Sequence, residues 1–216
     1  KLHFGSVAML FLAWVGSFSV CCAEQCRVKT PVALLAACKE ASPGDLIVIE
    51  GEDWLDVRLK IRLAGSAKKP VTIRSEVSWI GESSFEIIGE HVVLDGFVFR
   101  KGGLSSGHVM KVRGSHCRVT RCVFDNYNPE KKSTRYHWLS LFGHHQRVDH
   151  CRFQGQDHSG CTLVVWLESE GESEVGKHRI EWNHFLNRPR GDGNGFETIR
   201  IGTSEHSMKS AQCVVA

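Results

Sequence analysis

From residue 91 onward the apolar positions recur in one short phrase. Leu94-Asp95-Gly96-Phe97-Val98-Phe99 aligns with Val119-Thr120-Arg121-Cys122-Val123-Phe124. It aligns again with Val148-Asp149-His150-Cys151-Arg152-Phe153 and with Ile180-Glu181-Trp182-Asn183-His184-Phe185. Each copy reads apolar, two residues, a small or polar side chain (Phe97 in the first copy), one residue, phenylalanine. The copies start 25, 29 and 32 residues apart. A constant strand at a variable period marks a solenoid whose loops absorb the difference in length. One coil is too short to bury its own apolar face, and stacking coils at ~4.8 Å makes a continuous core. The pattern therefore predicts an all-β fold, a right-handed parallel β-helix. Val119, Val148 and Ile180 form one inward ladder, and Phe99, Phe124, Phe153 and Phe185 a second. Cys122, Cys151 and Asn183 form a third, with Asn183 bonding turn backbone. Cys122 and Cys151 are expected as small buried side chains rather than a disulfide.

Ahead of the repeat, Thr30-Pro31 followed by Val32 to Ala41 predicts a short helix. Thr30 is the N-cap and Pro31 the first helical residue, Val32, Leu35 and Ala36 share one face, and Pro43-Gly44 stops it. This helix is expected to cap the first coil. Short strands follow at 45–49, 59–63 and 70–74, each bounded by Gly, Pro or charge. Cys213-Val214-Val215 begins a further copy, 34 residues after Ile180, and that coil is expected to be cut short at residue 216. A β-sandwich would instead show turns every ~8–12 residues without a repeated side-chain pattern, and the four aligned copies argue against it.

Leu2 to Val20 is apolar, follows Lys1 and ends in the small residues Cys21-Cys22-Ala23. That reads as a signal peptide cut after Ala23. As a membrane anchor its apolar core is short of the ~20 residues a span needs. The expected organisation is a leader over 1–23, a cap over 24–44 and a β-helix over 45–216. It implies a secreted or periplasmic protein with no lasting membrane insertion. Two of the 9 cysteines lie in the leader. The seven others, an odd number, imply a free thiol or an absent partner.

Composition narrows the function classes. The formal charge of +3 and the lack of a Lys/Arg run give no reason to expect nucleic acid as a partner. The 12 histidines are scattered without HExxH or paired CxxC spacing, so no zinc site is expected. Chemistry concentrates in Asn187 to Gly202, where a Gly-rich turn, Asn194, Glu197, Arg188 and Arg190 precede the short strand Thr198-Ile199-Arg200-Ile201. Polar side chains at a strand's edge are how a rigid scaffold presents chemistry, and a solvated turn is the plain alternative. Three classes compete on such a fold: a polysaccharide lyase, a glycoside hydrolase and a non-catalytic binding or adhesin module. A hydrolase needs two carboxylic acids flanking the scissile bond. Here Gly143-His144-His145 and Arg200-Ile201-Gly202 only echo the pectin-type hydrolase signatures.

Most of the chain after the leader resembles polysaccharide lyase family six, the alginate lyase and chondroitinase B family. The resemblance runs through 41–48, 65–73, 147–153, 162–166 and 178–185. It is most specific in Asn194-Gly195-Phe196-Glu197-Thr198-Ile199-Arg200-Ile201-Gly202-Thr203-Ser204, which is similar to the family's N-G-G-E-T-I-R-I-G-T-S. The resemblance implies a calcium ion that neutralises a uronate carboxylate, a lysine that removes the proton on the adjacent carbon, and an arginine that stabilises the developing charge. It implies β-elimination on an anionic polysaccharide, most readily alginate, with dermatan sulfate as the other branch. Of the implied calcium ligands, one asparagine and a Glu-x-Glu pair, only the asparagine matches a residue here, Asn194. The pair, the lysine and the arginine are expected beyond residue 216, so no catalytic residue is expected within this chain and the chain alone is expected to be inactive. Glu197 and Arg200 are expected to orient or pair near Asn194, and Arg188 and Arg190 to attract the polyanion. Phe196 departs from the family's second glycine and places bulk in the turn. His137-Trp138 and His144-His145 are weaker candidates for a sugar groove. Glu168 to Glu174 and Ser204 to Ser207 read as solvated loops.

Overall fold

The computed structural model describes residues 24–167, 175–191, 195–206 and 210–216. Its helix starts as its residues dictate. Thr30 is extended, its Oγ1 accepts from the Ala33 N–H at 3.2 Å, and proline opens the first turn, where its missing N–H costs nothing. The helix runs Pro31–Glu40 and buries Leu34 and Cys38. That corrects the expected face, since Val32 and Leu35 are exposed. An unexpected strand, Gln25–Val28, precedes the helix and pairs in parallel with Leu46–Ile49, so the coil begins ahead of its cap.

Among the described residues the strands form three parallel sheets. The first stacks eight strands: Gln25–Val28, Leu46–Ile49, Val71–Ser75, Val92–Asp95, Arg118–Thr120, Arg147–Asp149, Arg179–Glu181 and Val214–Val215. The second stacks Trp54–Leu55, Ser78–Gly81, Val98–Gly102, Val123–Asp125, Arg152–Gln154 and His184–Leu186. The third stacks Arg58–Ala64, Ser84–Glu90, Gly107–Ser115, Tyr136–Leu141, Leu163–Val165 and Ile199–Ile201. A full coil visits first, second and third sheet in turn, which is a right-handed parallel β-helix.

The expected ladders form in register. Ile47, Ile73, Leu94, Val119, Val148 and Ile180 pair coil to coil. Phe99, Phe124, Phe153 and Phe185 stack with centroids 5.2, 5.0 and 4.9 Å apart, and Trp79 extends the row one coil upward. The last register differs from expectation. Val215, not Val214, pairs with Ile180, and a slip of one residue exchanges inward for outward side chains.

In the third row Cys122 and Cys151 are fully buried free thiols. Cys26, Cys38, Cys161 and Cys213 are free thiols as well. Asn183 Oδ1 accepts from the Cys151 N–H at 2.9 Å, and its Nδ2 donates to the Val148 carbonyl at 2.9 Å. Asn183→Ala is expected to cost about 2 kcal/mol by leaving both backbone groups unpaired. Urea denaturation checks this, and an unchanged midpoint would show that water replaces the amide.

Outward positions of the first sheet are charged. Asp95 pairs with Arg74 at 2.9 Å and Arg121 at 2.6 Å, Asp149 with Arg118 and Arg147, and Glu181 with Arg147 and Arg179. Burial alone would raise the pKa of Asp95, but hydrogen bonds from Arg121 and Arg74 outweigh it and hold the carboxyl below its ordinary value. The third sheet turns into the first through a single non-glycine residue of positive φ: His91, His116, His145, Lys177 and Gln212 in successive coils. Histidine tolerates that conformation better than most side chains. Among the described residues, no helix is long and apolar enough to cross a membrane.

Candidate functional site

The connection from second to third sheet carries the run singled out in the sequence. Leu186 ends a second-sheet strand, residues 187–198 cross over, and Ile199–Ile201 joins the third sheet beside Leu163–Val165. Asn194 lies outside the described residues. Gly195 has φ +102°, and its carbonyl accepts from the Gly160 N–H of the previous coil at 2.5 Å. Gly160 must be glycine, because at φ +119° an added Cβ would stand 1.7 Å from the Tyr136 carbonyl oxygen. The crossover is therefore pressed against the coil before it.

Glu197 orients that turn from within. Its Oε2 accepts from the Gly195 N–H at 3.0 Å and from the Cys161 thiol at 3.3 Å. Burial alone would raise its pKa, but hydrogen bonds from its own N–H, Cys161 and Gly195, with Arg200 nearby, hold the carboxyl below its ordinary value. Burial pushes the Cys161 thiol up to about 12, which keeps it protonated as a donor. Glu197 and Arg200 form no ion pair with each other.

Arg188 does not face an incoming polyanion. Half-buried, it donates from Nε to the Phe196 carbonyl at 3.2 Å and from its two terminal nitrogens to the carbonyls of Gln156, His158 and Gly160 at 3.3, 3.2 and 2.5 Å. Its guanidinium also lies 5.5 Å from the centroid of the Phe196 ring. It clamps the crossover to the preceding coil, a role that composition does not reveal. Phe196 fits where the family has glycine because Gly191 vacates the space: a Cβ there would meet the phenyl ring at 2.0 Å. Arg190 is exposed, as a residue that attracts a polyanion must be.

Arg200 is on the outer face of the third sheet, in register with Val164. Its guanidinium lies over the Trp166 ring at 5.2 Å, Trp166 stacks on Phe142 at 5.6 Å, and Lys111 Nζ sits 4.3 Å from the Phe142 centroid. His137 and His108 stack at 5.5 Å beside them, each edge-on to Trp166. Burial, then Lys111, pushes His108 down to about 4. Burial, then His108, Arg200 and Arg135, pushes His137 down to about 3. Both rings are neutral near pH 7. This face continues into a groove of about 330 Å³ lined by Arg58, Lys60, Glu86, His108 and Lys111. Aromatic rings interleaved with Lys and Arg suit an anionic sugar chain, the rings for the pyranose faces and the cations for the carboxylates. His137 is buried beside this groove rather than lining it. Trp138 does not line it either: it is fully buried, and its Nε1 donates to the Tyr127 carbonyl. Lys111, Phe142 and Trp166 are missed by the sequence reading, because they lie in or directly after strands that follow loops of variable length.

Calcium takes about six to eight oxygens. Around Gly195 the described residues offer the Glu197 carboxylate, already engaged through Oε2, so they do not by themselves form a calcium shell.

The chondroitinase B family profile matches residues 28–216. No curated protein matches the chain. Among solved structures, the PL6 family alginate lyase AlyGC is similar at 36% identity and a TM-score of 0.79, over 85% of this chain and 27% of that one. A PL6 family polysaccharide lyase from Pseudopedobacter saltans is similar at 25% identity and a TM-score of 0.78, over 88% and 45%. A mannuronic acid specific family 6 lyase from human gut microbiota is similar at 28% identity and a TM-score of 0.76, over 88% and 47%. The chain thus spans between about a quarter and a half of the length of these structures.

Proposed function

The chain belongs to the chondroitinase B family, polysaccharide lyase family six, and from that premise we propose that a protein containing it is a secreted lyase that cleaves a uronate polymer by β-elimination. The observation that carries the reading is the third sheet's outer face. It sets Lys111, Phe142, Trp166, His108, His137 and Arg200 in one continuous strip beside residues 195–197. The strip binds and orients the polyanion: buried Phe142 backs it, the partly exposed ring of Trp166 meets a sugar, and Lys111 and Arg200 take carboxylates. Glu197 and Arg188 hold the crossover in shape, and Arg190 adds attraction from its exposed position. Alginate rich in mannuronate is the favoured substrate, in keeping with the alginate and mannuronic acid lyases among the similar structures, and dermatan sulfate is the other.

Calcium, with Asn194 as one ligand and the remaining ligands, the base lysine and the arginine from residues outside this chain, completes the proposal. When bound, such an ion neutralises the uronate carboxylate and acidifies the adjacent C–H. The test follows the unsaturated uronate product by ultraviolet absorbance, on mannuronate polymer, guluronate polymer and dermatan sulfate. It uses the longest natural polypeptide that contains these residues. Mannuronate polymer is expected to react fastest, and Trp166→Ala and Arg200→Ala to lower kcat/KM by about tenfold or more. Chelation and Asn194→Ala are each expected to abolish activity. No unsaturated product from any of the three polymers would overturn the lyase reading, whereas activity that persists without calcium would overturn only the metal.

A further inference from the structure

The corner where the third sheet turns into the first holds three imidazoles that the groove does not use. His144 is an extended residue bridged in parallel to Ser115 and Gly176, and His145 is the positive-φ residue that follows it. In a continuing strand, consecutive side chains would point to opposite faces. The left-handed turn at His145 brings both to one side, with their Nδ1 atoms 2.8 Å apart. His116 is the same corner residue one coil earlier, and its ring stacks on that of His145 at 4.8 Å. One ligand atom from each of His116, His144 and His145 lies within 4.8 Å of the others, and His116 and His145 are exposed.

We propose that His116, His144 and His145 form a binding site for a late first-row divalent metal ion, with zinc as the natural candidate. Imidazole nitrogen suits Zn²⁺, Cu²⁺ and Ni²⁺, whereas Ca²⁺ and Mg²⁺ take oxygen. Zinc–nitrogen bonds of ~2.0–2.1 Å place tetrahedral ligands a little over 3 Å apart, so exposed side chains need only small rotations to close on the ion. The Nδ1···Nδ1 contact requires one ring to donate and the other to accept. Ligation through both Nδ1 atoms moves the protons to Nε2 and needs no change in net charge of the rings. Three histidines leave a fourth position for water or a ligand. Zinc-motif spacing in the sequence misses this set because the ligands come from two coils, 28 residues apart between His116 and His144.

The test titrates tag-free, chelator-treated protein with zinc at pH 7.5 in excess calcium, by calorimetry and by thermal unfolding. One equivalent of zinc is expected to bind with a Kd below about 100 µM and to raise Tm. His144→Gln and His145→Asn are each expected to weaken binding at least about tenfold, asparagine being chosen because it tolerates positive φ. His91→Asn, which changes the same stack outside the triad, is expected to bind as the parent does. Circular dichroism verifies that each variant is folded, and His116→Asn provides an independent loss-of-ligand variant should either of the first two misfold. No stoichiometric binding below about 100 µM, or binding that survives both His144→Gln and His145→Asn, overturns the proposal. The proposal does not depend on the lyase reading, since its readout is metal binding alone.

Discussion

Between pH 7.5 and 4.5 the protein is expected to lose a large part of its stability. Three buried histidines cause this. Burial pushes His137 down to about 3, His158 to about 4 and His178 to about 3. His137 Nδ1 accepts from the Cys161 N–H at 2.9 Å and His178 Nδ1 from the Gln146 N–H at 3.0 Å, so protonation there also breaks a hydrogen bond. In the unfolded chain a histidine titrates near ~6.5. Between that value and the folded ones, the unfolded state binds more protons. The stabilisation is therefore complete above ~6.5 and is lost as pH falls toward the folded values. At pH 4.5 each ring costs about 2 kcal/mol, and together they approach the ~5–15 kcal/mol that holds a domain folded. Urea midpoints measured across this range check the expectation, and a midpoint that stays flat would sink it. His178→Gln adds attribution. Gln146, one coil earlier, already caps the Cys117 N–H through its amide oxygen at 2.9 Å, so glutamine can replace His178 as acceptor and should remove part of the acid sensitivity.

Replacing Arg188 is expected to have the other large effect. Arg188→Ala removes a donor from four carbonyls, of which Gly160's keeps the Gln156 amide at 3.2 Å, at about 1–3 kcal/mol for each left bare that water cannot reach. It also unfastens residues 195–197 from the coil before them. The expected result is a loss of about 4 kcal/mol or more in urea denaturation and, on the proposed lyase reading, about a hundredfold or greater fall in kcat/KM. Arg188→Lys should not rescue, because an ammonium cannot reach four carbonyls in a fixed plane. Arg190→Ala, at an exposed position, should change stability by less than ~0.5 kcal/mol. If Arg188→Ala unfolds and reacts as the parent does, Arg188 is not a clamp.

These two arginines show what the sequence could and could not disclose. Both stand beside a Gly-rich turn, and charge alone marks both as candidates for a polyanion. Only the fold of residues 187–198 decides that one guanidinium turns inward to backbone carbonyls. The ladders were legible because Leu94, Val119, Val148 and Ile180 each stand five residues before their phenylalanine. The third sheet was not, for two physical reasons. Its strands follow crossovers of changing length, so no fixed period leads to them. Some also lack alternation: all six residues of Tyr136–Leu141 are buried, so the pattern does not disclose that Trp138 faces the core. Val214 was placed one residue out of register for the same reason, since it follows a long connection after Ile201. The groove's Phe142 and Trp166 directly follow such strands and became visible only once coils were superposed.

From Leu94 to Phe185 that five-residue interval is a ruler built into the chain, whereas Ile73 and Trp79 one coil earlier stand six apart. Within those four coils, an insertion of one residue between the aliphatic residue of the first sheet and the phenylalanine of the second would exchange core for solvent in the positions after it. On either side of the third sheet the chain already varies in length from coil to coil. Tolerance of insertions and deletions should therefore be sharply partitioned around the circumference. In a library that inserts short segments at every position, soluble protein should survive insertion into the exposed stretch 130–133, and should vanish for any insertion between Val119 and Phe124 or between Val148 and Phe153. The same partition lets new loops accumulate along the edges of the groove while the rest of the coil keeps its count.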